Sequence, residues 1–305
     1  MTKILLLGHT GFLGMAVLKK LKESKFDFVS TASLSDGFDL RDANLTYEYI
    51  KRIEPDVIIN CASYVGGIQF GLKNKTEIYM NNMLMNISLY RTINSLEIKK
   101  IIHPISNCTY PSKFDLYEDD KWWEGEMHPT VEIYGFTKKA INIAGKSITR
   151  SNFSSTELIF PNLYGPNDHM SEFRAHALGA LCLRFIKADL SNEPKVVIWG
   201  SGKPIREWLH VNDAAEAIVA SILHAAPKKP VNVSVGKGLT IESLAEKIRN
   251  IINKNIKIEF DITKEDGAYS KILKPSDWLN EINWRPKFDI DNGLISTVKN
   301  YKERL

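Results

Sequence analysis

Two kinds of hydrophobic pattern alternate along the chain. Short apolar runs at residues 4–7, 26–29, 57–61, 100–105 and 156–160 are separated by stretches with apolar residues at helical spacing, such as 15–21. A short run with no polar face belongs to a strand covered on both sides, and strands alternating with helices pair in parallel through crossovers. The pattern therefore predicts an α/β fold, a Rossmann-type doubly wound parallel sheet. Beyond it, 231–234 reads as another strand, and 239–244 as a helix start with Thr240 as N-cap and Ser243 in the first turn. A mixture of helix and short strands follows. The 305 residues suffice for a second, smaller C-terminal α/β lobe that binds substrate. The expected division is 1–165 for the Rossmann-type domain, with a returning segment near 206–235, and 166–205 with 236–305 for the lobe. The one linker-like stretch, 225–230, need not divide domains, and neither repeats nor low-complexity segments occur.

Composition narrows the class. With 44% hydrophobic and 25% charged residues the chain resembles an ordinary soluble enzyme, and a net charge of +4 is too small to imply nucleic acid, though it suits an anionic substrate. Cys61, Cys108 and Cys182 are widely spaced and form no CxxC, which argues against a disulfide framework or a zinc site and for a reducing cytoplasm. The first residues enter a strand without signal-peptide organisation, and no apolar run approaches the roughly 20 residues needed to span a bilayer. The expectation is a soluble cytoplasmic protein with no membrane partner. Histidines 9, 103, 128, 169 and 210 show no paired ligand spacing, so no metal site is expected.

The first candidate chemistry is a phosphate site. The strand at 3–7 runs into Gly8-His9-Thr10-Gly11-Phe12-Leu13-Gly14 and then into an apolar-periodic helix. Glycines at such a turn permit a tight reversal, approach of backbone N–H groups to a pyrophosphate, and close packing of helix on strand. The GxxGxxG spacing departs from the GxGxxG fingerprint, but the strand before and helix after supply the required context. After the second strand the chain reads Ser30-Thr31-Ala32-Ser33-Leu34-Ser35, with no carboxylate to bond a ribose 2′-hydroxyl and hydroxyls in its place. That favours NADP(H), although no arginine stands there. Asp39 and Leu40 either reach the adenine or belong to an Asp-rich loop that caps the next helix.

Tyr134 and Lys138 lie one helical turn apart, and Ser106 lies upstream. A tyrosine that gives a proton to a developing alkoxide needs its pKa brought down from about 10, and a lysine on the same helix face does that. Alone, the YxxxK spacing more often means a packed ring and a solvated ammonium. With the glycine turn it reads as carbonyl reduction.

Further blocks carry a family resemblance: Val65-Gly66-Gly67-Ile68, Ser106-Asn107-Cys108-Thr109-Tyr110-Pro111, Asn162-Leu163-Tyr164-Gly165-Pro166, and the stretch from Trp199 through Arg206 to Val211. With the glycine turn and the YxxxK helix, these blocks make the chain resemble the extended short-chain dehydrogenase/reductases, and within them the GDP-L-fucose synthase family, nearly end to end. The resemblance implies an NADPH-dependent enzyme of surface-glycan or polysaccharide precursor synthesis. Such an enzyme epimerises C3 and C5 of GDP-4-keto-6-deoxy-mannose and reduces C4. It further implies that Ser106, Tyr134 and Lys138 are the catalytic serine, tyrosine and lysine, Cys108 the epimerisation base, and His176 the epimerisation acid. Gly8, Thr10, Gly11, Phe12, Leu13, Gly14, Asp39, Leu40, Tyr134, Lys138 and Asn162 would hold the cofactor. Asn162, Arg184, Trp199 and Arg206 would hold the nucleotide sugar. Homodimers of the family pair through two Rossmann-domain helices, and Tyr79, Met80, Met83 and Met85 are expected in the core or at that interface.

Each residue has a plainer reading. Cys108 could be a small hydrophobe after a buried strand, His176 a hydrogen-bonded helix residue, and Arg206 a surface partner of Glu207 or Asp213. The segments 119–125 and 167–174 depart from the fucose-synthase pattern, which opens other sugars or nucleotide carriers. The rivals are a C4-reductase without epimerisation, an NAD-dependent 4-epimerase on another nucleotide sugar such as a GDP-heptose, and a non-catalytic dinucleotide sensor.

Overall fold

The computed structural model describes residues 2–24, 26 and 28–305, and the backbone but not the side chain of Ile68. β1 (Lys3–Leu7) leads through the glycine turn into α1 (Phe12–Glu23), and β2 (Phe28–Ala32) into α2 (Ala43–Ile53). β3 (Val57–Asn60) is followed by α3 (Ile68–Lys73) and α4 (Lys75–Ser95). β4 (Lys100–Ser106) and β5 (Leu116–Tyr117) precede α5 (Glu132–Ser147) and β6 (Ser154–Phe160). The chain continues through β7 (Asn162–Tyr164), α6 (Ala177–Leu190), β8 (Lys195–Trp199), β9 (Ile205–His210), α7 (Val211–Ala220) and β10 (Val231–Asn232). It ends with β11 (Gly238–Thr240), α8 (Ile241–Ile252), β12 (Lys257–Asp261), β13 (Ser270–Leu273), α9 (Trp278–Glu281) and α10 (Ile290–Arg304).

Six strands form the central sheet in the order β10-β6-β4-β3-β1-β2. Every pairing in it is parallel. The unbroken apolar runs are explained by burial on both faces. Ile4 and Leu6 join a core with Val17 and Leu21 of α1 and Ala214 and Ile218 of α7, while Leu5 and Leu7 meet Ile50 of α2, Leu89 of α4 and Ile141 of α5. The chain leaves β1 toward β2 on one side and reaches β3 on the other. That reversal opens a crevice at the carboxyl ends of the strands, where doubly wound sheets bind their ligands.

β2 lies later than the apolar run at 26–29 predicts, and Asp27 within that run is outside the described residues. Ser30, Thr31 and Ala32 pair with Leu5, Leu6 and Leu7. An edge strand with one open side tolerates those hydroxyls, so polarity there did not mark the strand's end. The strand expected at 231–234 stops at Asn232, and Thr240 caps α8 as expected, its hydroxyl accepting from Ser243 N at 3.1 Å.

A separate core gathers Leu178, Cys182 and Phe185 of α6, Leu244 and Ile248 of α8, and Leu294 and Tyr301 of α10. Beside it β11, β9, β13 and β5 form a small sheet, with β7 pairing β9, and β12 pairs β8. Glu207 of β9 is fully buried there, and its carboxylate accepts from Val235 N (2.6 Å), Gly236 N (2.9 Å) and Leu273 N (2.8 Å). Burial pushes its pKa up to about 7 against the pull of those three bonds.

Candidate active site

The glycine turn is held by sterics. Gly8 has φ +75°, and a Cβ there would meet Ala62 N at 2.6 Å; a Cβ on Gly14 would sit 2.1 Å from Gly8 O. Loop, helix and the chain after β3 can approach this closely only because both positions are glycine. Gly11 is the N-cap of α1, so no side chain covers the first-turn N–H groups of Phe12 and Leu13, and no acidic residue stands there. Uncapped donors at the positive end of a helix dipole suit a pyrophosphate, and the cradle fits a dinucleotide. Beside it Thr10 and Ser33 share a 2.6 Å hydroxyl contact, and Ser35 donates to Thr10 at 3.0 Å. Asp36 lies 3.4 Å from His9 Nε2, which puts a carboxylate close to the cofactor turn. The carboxylate of Asp39 is taken up by Arg41, whose Nε donates at 2.8 Å, while Asp42 caps α2. Leu40 is buried in the core around α2.

Ser106 ends β4 at the same edge of the sheet, and its hydroxyl accepts from Cys108 N at 3.2 Å, which fixes the turn over Asn107–Thr109. α5 rests on that turn because of Gly135. A Cβ at this position would lie 2.9 Å from Cys108 O and 2.5 Å from Met127 Sδ. The glycine inside the YxxxK motif thus brings Tyr134 against the Cys108 turn. Burial pushes Tyr134 above its ordinary pKa, a hydrogen bond with Ser63 opposes this, and a Cys108 thiolate would push it the same way as burial. Lys138 Nζ lies 5.7 Å from the Tyr134 ring centroid. Burial lowers the lysine to about 8, with Cys61 opposing. Burial is thus the leading influence on the phenol, and no hydrogen bond joins it to Lys138 among the described residues. Ser63 is held by Asn82 of α4, whose Oδ1 accepts from Ser63 Oγ (3.1 Å) and Tyr64 N (3.0 Å).

The opposite wall comes from residues 162–206. His176 N-caps α6 without a side-chain cap; its ring packs on Phe12 at 5.4 Å, and Nδ1 lies 3.1 Å from Asp168 Oδ2. Burial alone would lower the His176 pKa, but the bond and charge of Asp168 outweigh it and leave it raised. Arg184 donates to Glu172 (3.3 Å) and to Val197 O (2.9 Å). Trp199, two residues along β8, is 54% exposed, with Lys264 Nζ 5.7 Å from its ring. Arg206 donates to Ile205 O at 2.8 Å and to Tyr269 O at 3.4 Å, both backbone carbonyls. Its neighbours in charge are Tyr117, Asp266 and Cys108. The surface pairing with Glu207 or Asp213 is excluded, since both carboxylates are buried and bonded to backbone N–H groups. Asn162 donates to Glu207 O at 3.0 Å and so ties β7 to β9.

The structure therefore brings the glycine turn, Ser106, Cys108, Tyr134 and Lys138 to one edge of the sheet. His176 joins them through Phe12, and Arg206 through the Cys108 turn. Arg184 and Trp199 lie farther along the lobe, linked through β8. The sequence marked Asp168 and Glu172 only as members of the segment that departs from the family pattern, and it did not mark Ser63.

The fold and the glycine turn are those of a Rossmann-type dinucleotide enzyme, with a thiol beside Tyr134 and an imidazole packed on Phe12. Residues 4–236 match the model of the NAD dependent epimerase/dehydratase family. A probable GDP-L-fucose synthase 1 of Oryza sativa subsp. japonica is 30% identical, the match covering 99% of this chain and 93% of that protein. A GDP-L-colitose synthase of Yersinia pseudotuberculosis is 30% identical over 97% of each chain. A GDP-L-fucose synthetase from Naegleria fowleri, solved bound to NADP, superposes with TM-score 0.88 at 25% identity, covering 100% of this chain and 96% of that one. The chain belongs to the NAD dependent epimerase/dehydratase family and is an enzyme of its epimerase/reductase kind.

Proposed function

We propose that the chain is an NADPH-dependent epimerase/reductase of a 4-keto-6-deoxy GDP-sugar that converts GDP-4-keto-6-deoxy-mannose to GDP-L-fucose. The observation that carries this reading is the convergence of Cys108, Tyr134 and His176 on the dinucleotide cradle. The 30% identity to proteins named for that reaction, and to the colitose synthase, supports it.

The chemistry follows from the ketone. A carbonyl at C4 acidifies the C–H bonds at C3 and C5, so one base and one acid placed across the ring can invert both centres through enolates. Cys108 takes the proton and His176 returns one on the other face. Donors from Ser106 and Tyr134 to O4 stabilise each enolate as an oxyanion hole does. Bound NADPH supplies the hydrogen and electron pair that reduce C4. During that step Tyr134 gives its proton to O4, and Lys138, buried beside it, carries the positive charge that favours the phenolate left behind. Arg184 and Arg206 hold the diphosphate and Trp199 offers its exposed face to the base. The segment 1–165 with its return near 206–235 holds the cofactor; 166–205 and 236–305 hold the nucleotide sugar.

The enzyme works in the cytoplasm, where its free cysteines stay reduced; among the described residues no helix is long and apolar enough to cross a membrane. It pairs as a homodimer through α4 and α5, as the resemblance implies. α4 buries Leu89 and Ile93 yet also exposes Tyr79, Met80, Leu84 and Ile87, next to exposed Phe136 and Ile143 of α5.

Incubation with NADPH and GDP-4-keto-6-deoxy-mannose in deuterium oxide tests the reading. Deuterium at C3 and C5 together with NADPH oxidation is expected. Oxidation without deuterium would leave a C4-reductase, and no reaction would remove this substrate.

A further inference from the structure

We propose that Asp168 is the positioning residue for His176, holding a proton on Nδ1 and turning Nε2 toward the sugar. The inference rests on the acid role proposed for His176 and adds what makes the imidazole competent for it.

Asp168 is 2% exposed, and both carboxylate oxygens are occupied. Oδ1 accepts from His169 N at 2.8 Å and lies 3.2 Å from His176 Nδ1; Oδ2 accepts from His176 N at 3.0 Å and lies 3.1 Å from the same Nδ1. One carboxylate thus grips the backbone and the ring of the same residue. A histidine at a helix N-cap could have turned its ring to cap α6, and this one does not. Close approach of α6 is built in: a Cβ on Gly179 would lie 3.0 Å from Asp168 Oδ2 and 2.3 Å from Tyr301 Oη. From α10, Arg304 donates to Asp168 O at 2.9 Å.

A carboxylate can only accept, so the nitrogen it touches must donate; Nδ1 carries the proton and Nε2 is the exchanging site. Phe12 packs against the ring, and the side chain is 41% exposed, which leaves the far edge open to the cleft. The charged and titratable groups around this pair are His169, Arg174, Arg304 and Tyr301. None of these is hydrogen-bonded to the His176 ring, whose partner is Asp168. Such an orienting carboxylate favours the imidazolium, the form that can give a proton to an enolate carbon.

Two measurements decide it. In the wild-type protein labelled with nitrogen-15 histidine, with His176→Gln used for assignment, the neutral His176 ring is expected as the Nδ1–H tautomer; an Nε2–H tautomer would overturn the proposal without any variant having to fold. In Asp168→Asn, deuterium entry at C3 and C5 is expected to fall about 10²-fold, the scale of a misplaced catalytic group. NADP+ affinity should be unchanged, and Asp168→Glu should lie between. Exchange in Asp168→Asn within about threefold of wild type would overturn the positioning role and leave the enzyme reading standing. Absence of exchange in the wild type would overturn both.

Discussion

Cys108, Tyr134 and Lys138 stand on a turn and a helix that Gly135 allows to touch, whereas His176, Arg184 and Arg206 hang from a stretch of chain held by carboxylates. On the first wall the positions follow from strand, turn and helix, and one missing Cβ sets the approach of α5 to Cys108. On the second wall Asp168 grips His176, Glu172 grips Arg184, and Glu207 pins the strand carrying Arg206. The difference separates two tasks. In the proposed mechanism, proton transfer to O4 rests on rigid elements, while the epimerisation acid and the nucleotide contacts rest on a braced loop that can change without disturbing the sheet.

The sharpest test falls on the first wall. Tyr134→Phe removes the proposed proton donor and leaves the ring that packs α5. Turnover measured as NADPH oxidation is expected to fall about 10³-fold, within the usual range for a general acid, with little change in sugar-nucleotide binding. Turnover near wild type would place the donor elsewhere and dissolve the contrast between the walls.

The first wall was also the legible one. Apolar runs between helical spacings announced the parallel sheet, and Tyr134, Lys138 and the glycine turn stood out because their chemistry needs short local spacings. Gly135 was visible as a residue, but its closeness to Cys108 crosses 27 positions of chain and only the fold reveals it. The second wall depends on such distant pairings throughout. Glu207 reads in sequence as a surface partner of Arg206, yet it is buried because three N–H groups from β13 and the chain after β10 converge on it. Asp168 precedes His176 by eight residues with no periodic relation between them, and a turn alone makes them neighbours. The edge position of β2 likewise hid its last residues, since hydroxyls on an open edge look like loop.

Glu207 offers the next test, on the second wall. Its folded pKa, raised from 4.5 to about 7, means that the folded state holds a proton the unfolded chain has released between those values. Stability from this group is therefore fully present below about 4.5 and is lost as pH rises through 7. A shift of this size corresponds to about 3 kcal/mol. Urea midpoints measured across pH 4.5 to 8 should decline through that window, and Glu207→Gln should remove the decline. A Glu207→Gln protein with the same slope would assign the titration to another group and leave the β9 brace indifferent to pH.

The smallest effect separates holding from competing. Glu172 lies between Arg184 Nε at 3.3 Å and Lys187 Nζ at 3.0 Å, about a third exposed, so the pairs are worth at most about 1 kcal/mol. Arg184 also donates to Val197 O, so the guanidinium has a second anchor. If that anchor suffices, Glu172 mainly cancels positive charge that the sugar nucleotide's diphosphate would use. Glu172→Gln should then lower KM about threefold at unchanged kcat, and the gain should shrink as salt screens it. A rise in KM would show instead that Arg184 needs its carboxylate, as His176 is proposed to need Asp168, and the whole second wall would work by the same device.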